Sequence, residues 1–211
     1  MVDVVIIDYG MGNIHSVYKS VIKVIDKKSK VRVSSSLIDI KNCTHIVFPG
    51  QGAASECMAN IAKHLNTDEL KSVISQKPFL GICMGLQILM SNSEENQGTN
   101  CLDIIEGSVM SLKNKLDESF KIPHMGWNKV NQSMNHPLWN SIPNNSFFYF
   151  VHSYAVEPTH TKDIMSTTEY GINFTSAIAK DNLVAVQFHP EKSSTPGLKL
   201  LENFIGWDGD A

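Results

Sequence analysis

Apolar residues follow two different rhythms along this chain, and the rhythm changes near its middle. Val2–Ile7 is an almost unbroken β-branched run, as expected of a strand buried on both faces in a parallel sheet. A Gly-rich loop, Asp8-Tyr9-Gly10-Met11-Gly12-Asn13, follows it. Beyond the loop, Ile14, Val17, Val21, Ile22, Val24 and Ile25 recur at helical spacing, with Asn13 placed to cap that helix. Strands are predicted at Lys30–Ser34 and at His45–Phe48, the latter running into Pro49-Gly50. Helices are predicted at roughly Ala53–Leu65 and Asp68–Ser75, the second entered through Asn66-Thr67-Asp68-Glu69, an N-cap with an acidic first turn. Next come a strand at Phe79–Ile82, a tight turn at Cys83 and a short helix through about Met90. Strand, crossover helix and strand in repetition imply an α/β fold with a parallel sheet.

The second half reads as strands and turns. Phe147–Tyr154 is a long aromatic-rich strand, and Phe174–Ala179 with Leu183–Phe188 flank Lys180-Asp181-Asn182 as a β-hairpin. A final helix spans roughly Pro196–Phe204, with Pro196 in its first turn. There is no internal repeat, low-complexity tract or Gly/Ser linker, so one domain over residues 1–211 is expected.

Composition narrows the function classes. Apolar residues make up 42% of the chain, enough for a core, and 18 Lys+Arg against 21 Asp+Glu leave a formal charge of -3. That balance carries no electrostatic footprint for nucleic acid or an anionic membrane. No apolar run approaches the roughly 20 residues that span a bilayer, and the start of the chain has no basic segment or cleavage signal, so a cytoplasmic location is expected. The cysteines, Cys43, Cys57, Cys83 and Cys101, form no C-x-x-C pair, which argues against a zinc or redox site, and in a chain of this length without a secretion signal they are expected to be reduced thiols.

One cysteine departs from the bland expectation of a small buried hydrophobe. In Gly81-Ile82-Cys83-Met84-Gly85-Leu86-Gln87 it stands between an apolar strand and a helix start, with glycine at both -2 and +2. This is the layout of a nucleophile elbow: the turn strains the central residue, and side chains at ±2 would clash. Four cysteines and 13 glycines would rarely produce that pattern by chance. The sulfur would stand near a helix N-terminus, which favours thiolate. A nucleophile needs a base and a group to orient it. His189 closes an apolar strand in Val186-Gln187-Phe188-His189-Pro190-Glu191-Lys192, where α/β sites form. In extended chain, Glu191 would share its side of the backbone.

Gly81–Gln87 together with His189-Pro190-Glu191 resembles the Cys-His-Glu triad of the class I glutamine amidotransferases. Nearly the whole chain is similar, in particular, to the glutaminase subunits of imidazole glycerol phosphate synthases of histidine biosynthesis. The similarity runs through Asp8–Asn13, Pro49-Gly50-Gln51-Gly52-Ala53, Ser93-Glu94-Glu95, Pro123-His124-Met125-Gly126-Trp127-Asn128 and Phe148–Tyr154. The resemblance implies a three-layer α/β fold with a mostly parallel central sheet. It implies that Cys83 attacks the glutamine amide, His189 moves protons and Glu191 orients the imidazole, through a thioester and without cofactor or metal. Oxyanion donors would come from Met84 and from Gly50, Gln51 and Gly52, a loop that must reorient a peptide when the partner docks; relatives often carry valine where Gln51 stands. Gln87, Glu95, Ser153 and Tyr154 would hold glutamine, with Glu95 against its ammonium group. Ammonia would pass to a (β/α)₈ cyclase subunit near Asn13, Tyr149 and Lys192. Trp127 fits either that interface or the core, and His152 reads as a satisfied structural histidine. Two other readings stay open: a paralogous subunit feeding another synthase, such as a sugar-modifying one, and a catalytically silent regulatory subunit, which an intact triad argues against.

Overall fold

The structure, a computed structural model, describes residues 1–210. Its first half comprises β1 (Asp3–Ile7), α1 (Ile14–Val24), β2 (Lys30–Ser34), α2 (Leu37–Asn42), β3 (His45–Gly50), α3 (Ala54–His64), α4 (Thr67–Ile74) and β4 (Phe79–Cys83), the alternation that the sequence pattern predicts apart from the short helix α2, which it does not show. A single helical turn, α5 (Met84–Gln87), leads into β5 (Met90–Ser93), β6 (Thr99–Asn100) and β7 (Ile105–Ser111). The rest comprises β8 (His124–Gln132), β9 (Ser146–His152), β10 (Tyr154–Pro158), β11 (Ile164–Tyr170), β12 (Ile172–Lys180), β13 (Leu183–Val186) and α6 (Ser194–Gly206).

β2, β1, β3, β4 and β13 lie side by side and parallel. Every residue of β3, β4 and β13 is buried, so these strands are continuous apolar runs. Alternate residues face opposite layers. Val4, Ile6, Val47, Leu80 and Val184 pack with Val17 and Val21 of α1 and Leu200, Leu201 and Phe204 of α6. Val5, Ile7, Ile46, Phe48 and Ala185 pack with Ile40 of α2, Cys57 and Ile61 of α3, and Leu70 and Val73 of α4. These three layers are the expected fold. Beyond β13 the sheet turns antiparallel through β12 and β10 to β7, and β8, β9 and β11 build out from β12. The hairpin is as predicted: Lys180 pairs Leu183 around Asp181-Asn182, with Asp181 at φ 51°.

Four local expectations need correction. The helix after Cys83 stops at Gln87 instead of reaching Met90, because buried Met90 pairs with Ile105 of β7 as the first residue of strand β5. The aromatic strand breaks at Ser153: β9 pairs β8, whereas β10 pairs β7 and β12. Asn13 precedes α1 but makes no side-chain cap bond. Helix α6 begins two residues before Pro196. By contrast, Asn66 does cap α4, accepting from the Glu69 N–H at 3.0 Å.

Candidate active site

The end of β4 is bent as an elbow requires. Cys83 has φ 56° and ψ −110°, a region that costs a non-glycine residue about 1–3 kcal/mol. Both flanking glycines are forced by close packing. A Cβ on Gly81 would sit 2.6 Å from the Gly85 carbonyl oxygen, and one on Gly85 would overlap the Phe48 carbonyl oxygen. The Cys83 side chain is 8% exposed and opens on a cavity of about 400 Å³.

β13 lies parallel to β4, pairing Val186 with Ile82, so the chain past its end comes alongside the elbow. His189 is anchored there by its N–H, which donates to the Tyr149 carbonyl at 2.9 Å. Its Nδ1 lies 2.9 Å from Glu191 Oε1, and the Glu191 side chain is 1% exposed. The pairing arises differently from the expected extended i, i+2 arrangement: residues 190–192 form one 3₁₀ turn, which curls Glu191 back onto the imidazole. His189 Nε2 is buried and free of hydrogen bonds. Burial opposes a charged imidazole, but the adjoining Cys83 sulfur and then the Glu191 carboxylate outweigh it, and the His189 pKa is raised. A free base nitrogen, an oriented second nitrogen and a neighbouring sulfur suit the proton transfers of thiol catalysis.

Two residues at the elbow escaped the sequence reading. Gln187 Nε2 donates to Cys83 Sγ at 3.7 Å. Ser193 is fully buried, with its hydroxyl donating to the His189 carbonyl at 2.6 Å and accepting the Tyr149 N–H at 2.9 Å. The signal for Gln187 was present: a lone amide in an apolar strand, two residues before the histidine. Ser193 had none, because the Tyr149 N–H that it accepts lies on a strand distant in sequence.

The wall opposite His189 comes from β3, whose terminal Gly50 pairs with Cys83. A Cβ on Gly50 would lie 2.7 Å from Met84 Cβ and 2.8 Å from the Tyr9 hydroxyl. This glycine is therefore required by close approach to the elbow, not by backbone freedom. Gly52, at φ +85°, does need glycine's conformational range. Gln51, Gly52 and Met84 all line the cavity. The Gln51 carbonyl accepts from the Cys57 thiol at 3.4 Å, and that thiol accepts from the Tyr9 hydroxyl at 3.7 Å.

Gln87, Glu95, Ser153 and Tyr154 line the same cavity. Gln87 is 2% exposed; its Nε2 donates to the Tyr154 carbonyl and to Gln187 Oε1, while its Oε1 is buried without a partner. One oxygen of Glu95 already accepts the Ala54 N–H at 2.6 Å, at the start of α3, where negative charge is favoured. Asn13 and Lys192 stand at the cavity as well, and the Lys192 ammonium lies 5.9 Å from the Tyr149 ring centroid. Trp127 belongs to the surface and not to the core: it is 52% exposed and packs edge-on against Tyr149, with exposed Met125 and Phe147 on the same two strands. Among the described residues there is no cluster of three or more His, Cys, Asp or Glu side chains able to hold a metal, and all four cysteines are free thiols. No helix among them is long and apolar enough to cross a membrane.

Comparisons with known proteins agree with this geometry. The family model for glutamine amidotransferase class-I matches residues 5–207. The imidazole glycerol phosphate synthase subunit HisH of Hydrogenovibrio crunogenus is 48% identical, over 98% of this chain and 97% of that protein. Subunit HisH 1 of Pseudomonas aeruginosa is 47% identical over 99% of each. Among solved structures, PurLQS from Thermotoga maritima superposes with a TM-score of 0.73 over 97% of this chain and 98% of that one, at 14% identity, a likeness of fold alone. The chain belongs to the class-I glutamine amidotransferase family, in the group formed by the HisH subunits of imidazole glycerol phosphate synthase.

Proposed function

We propose that this chain is the glutaminase subunit of an imidazole glycerol phosphate synthase, its whole length serving as one amidotransferase domain. The observation that carries the reading is the strained Cys83 beside a cavity-lining His189 whose buried Nε2 makes no hydrogen bond and whose Nδ1 is held by buried Glu191. Cys83 attacks the side-chain amide carbon of glutamine, and His189 gives a proton to the departing ammonia. His189 then takes a proton from the water that cleaves the thioester, releasing glutamate. Glu191 keeps the imidazole in the tautomer and orientation both steps need. The Met84 N–H and the 50–52 backbone stabilise the oxyanion. Gln87, Glu95 and the Ser153-Tyr154 backbone hold the amino-acid end of glutamine.

Ammonia would then pass to a cyclase partner with a (β/α)₈ barrel, which makes imidazole glycerol phosphate and AICAR in histidine biosynthesis. Exposed Met125, Trp127 and Phe147, with Tyr149 between Trp127 and Lys192, and Lys192 and Asn13 at the cavity, support docking on this face. The HisH names of full-length relatives support the same partner. The test is glutamate release by the purified chain, with and without the cyclase and its nucleotide ligand. Release that depends on the partner and vanishes in Cys83→Ala is expected; undiminished release by Cys83→Ala overturns the assignment.

A further inference from the structure

A chain of hydrogen bonds runs from the cleft between β8 and β11 to the cavity that holds Cys83. At the cleft, the Asn128 amide nitrogen donates to the Glu169 carbonyl at 2.8 Å and reaches His124 Nε2 at 3.3 Å. The Asn128 Oδ1 accepts the Lys129 N–H at 2.8 Å, so the orientation of the amide is set at both ends. His124 Nδ1 lies 2.9 Å from His152 Nε2, and His152 Nδ1 lies 2.8 Å from the Tyr154 carbonyl oxygen. Both rings are buried, at 3% and 5% exposure.

Acceptor-only and donor-only atoms settle every proton in this chain. A carbonyl oxygen only accepts, so His152 carries its proton on Nδ1 and accepts at Nε2. His124 therefore donates from Nδ1 and accepts at Nε2 from the Asn128 amide nitrogen. A second proton on either ring would set two N–H groups against each other. Burial agrees, pushing His124 down to about 4 and His152 to about 3. The Tyr154 carbonyl is shared: it also accepts from Gln87 Nε2 at 3.2 Å, Gln87 Nε2 donates to Gln187 Oε1 at 3.0 Å, and Gln187 Nε2 donates to Cys83 Sγ.

We infer that Asn128, His124 and His152 are positioning residues that hold the Tyr154 carbonyl and, through Gln87 and Gln187, keep an N–H donor on the Cys83 sulfur. The inference rests on the glutaminase reading for its consequence, but not for its hydrogen-bond directions. Met125 and Trp127, on the exposed face of the same strand, place the start of the chain beside the proposed docking surface.

The test has two arms. Long-range ¹H–¹⁵N NMR of the full-length chain with labelled histidine, near pH 7, reads the tautomers without substrate. Both rings are expected as neutral Nδ1–H, the tautomer that a free histidine side chain in water disfavours. An Nε2–H tautomer or an imidazolium at either position overturns the inference. The second arm compares His124→Asn with His124→Phe, with the partner present. Asparagine restores a donor near the Nδ1 position; phenylalanine keeps the stacking on Tyr170 and Phe150, at 4.1 and 5.0 Å between ring centroids, but leaves His152 Nε2 without a donor. The expected kcat for glutamine hydrolysis is about tenfold down in His124→Phe and within about threefold of wild type in His124→Asn, while Tm ranks them in the opposite order. Activity that follows the Tm order means the ring only packs, and overturns the inference. Wild-type chain that releases no glutamate defeats the glutaminase reading, and the tautomers still decide the hydrogen-bond chain.

Discussion

Glu191→Gln separates the charge of the carboxylate from its shape. In the wild type, Glu191 Oε1 lies 2.9 Å from His189 Nδ1, with the two side chains 1% and 8% exposed. The amide fills the same volume and its oxygen can still accept the Nδ1–H, so the ring stays in place. What is lost is the charge assistance to a buried hydrogen bond, about 2 kcal/mol where water does not screen it. At about 1.4 kcal/mol per tenfold, kcat for glutamine hydrolysis should fall roughly 30-fold, with KM changed far less because Glu191 does not line the substrate cavity. The sign of the pH effect also follows. Burial lowers the His189 pKa, and Cys83 and Glu191 together raise it above its ordinary value. Removing the carboxylate lowers it, so the alkaline limb of the kcat profile, where the imidazolium is lost, moves to lower pH. A coupled glutamate assay with the partner present, run from pH 6 to 10, measures both quantities. Wild-type kcat and an unmoved alkaline limb in Glu191→Gln would refute the reasoning.

Other expectations follow from the same geometry. A glutamine-like electrophile should label Cys83 alone near pH 8, since burial raises the thiol pKa of Cys43 and lifts those of Cys57 and Cys101 to about 11; peptide mass spectrometry checks it, and equal labelling of all four cysteines would refute it. Gly85→Ala drives a methyl into the Phe48 carbonyl, and an overpacking cost of about 3 kcal/mol predicts a Tm lower by roughly 6–12 °C in a thermal melt. Trp127→Ala should leave Tm within about 2 °C, because the ring is half exposed. The same substitution should weaken binding of the cyclase about 30-fold in a titration if the indole anchors that interface.

Much of the first half was legible because its signals are local. β1, β3 and β4 are buried on both faces, so their sequences read as continuous apolar runs, and α1, α3 and α4 have an apolar stripe at helical spacing. The strands from β5 to β8 were not visible, since Met90–Ser93 and His124–Gln132 alternate weakly and include polar residues that face a cleft or solvent. Ser153 could not be seen as a break because its neighbours on both sides are good strand residues; the switch from β8 to β7 as pairing partner is a property of the sheet.

The sequence by itself determined the elbow, because two glycines at ±2 around a cysteine are a steric requirement written within five residues. It also singled out the proposed base and its carboxylate, His189 and Glu191, which lie two residues apart. Only the tertiary structure decided how these parts meet. Parallel pairing of β13 with β4 brings His189 to Cys83 across 106 positions of sequence, and a 3₁₀ turn, not an extended strand, delivers Glu191. The second set of contacts, Ser193 with Tyr149 and His124 with His152, joins segments far apart in sequence. A hydrogen bond between distant strands leaves no periodicity or spacing to read, so those residues become legible only once the fold has brought them together.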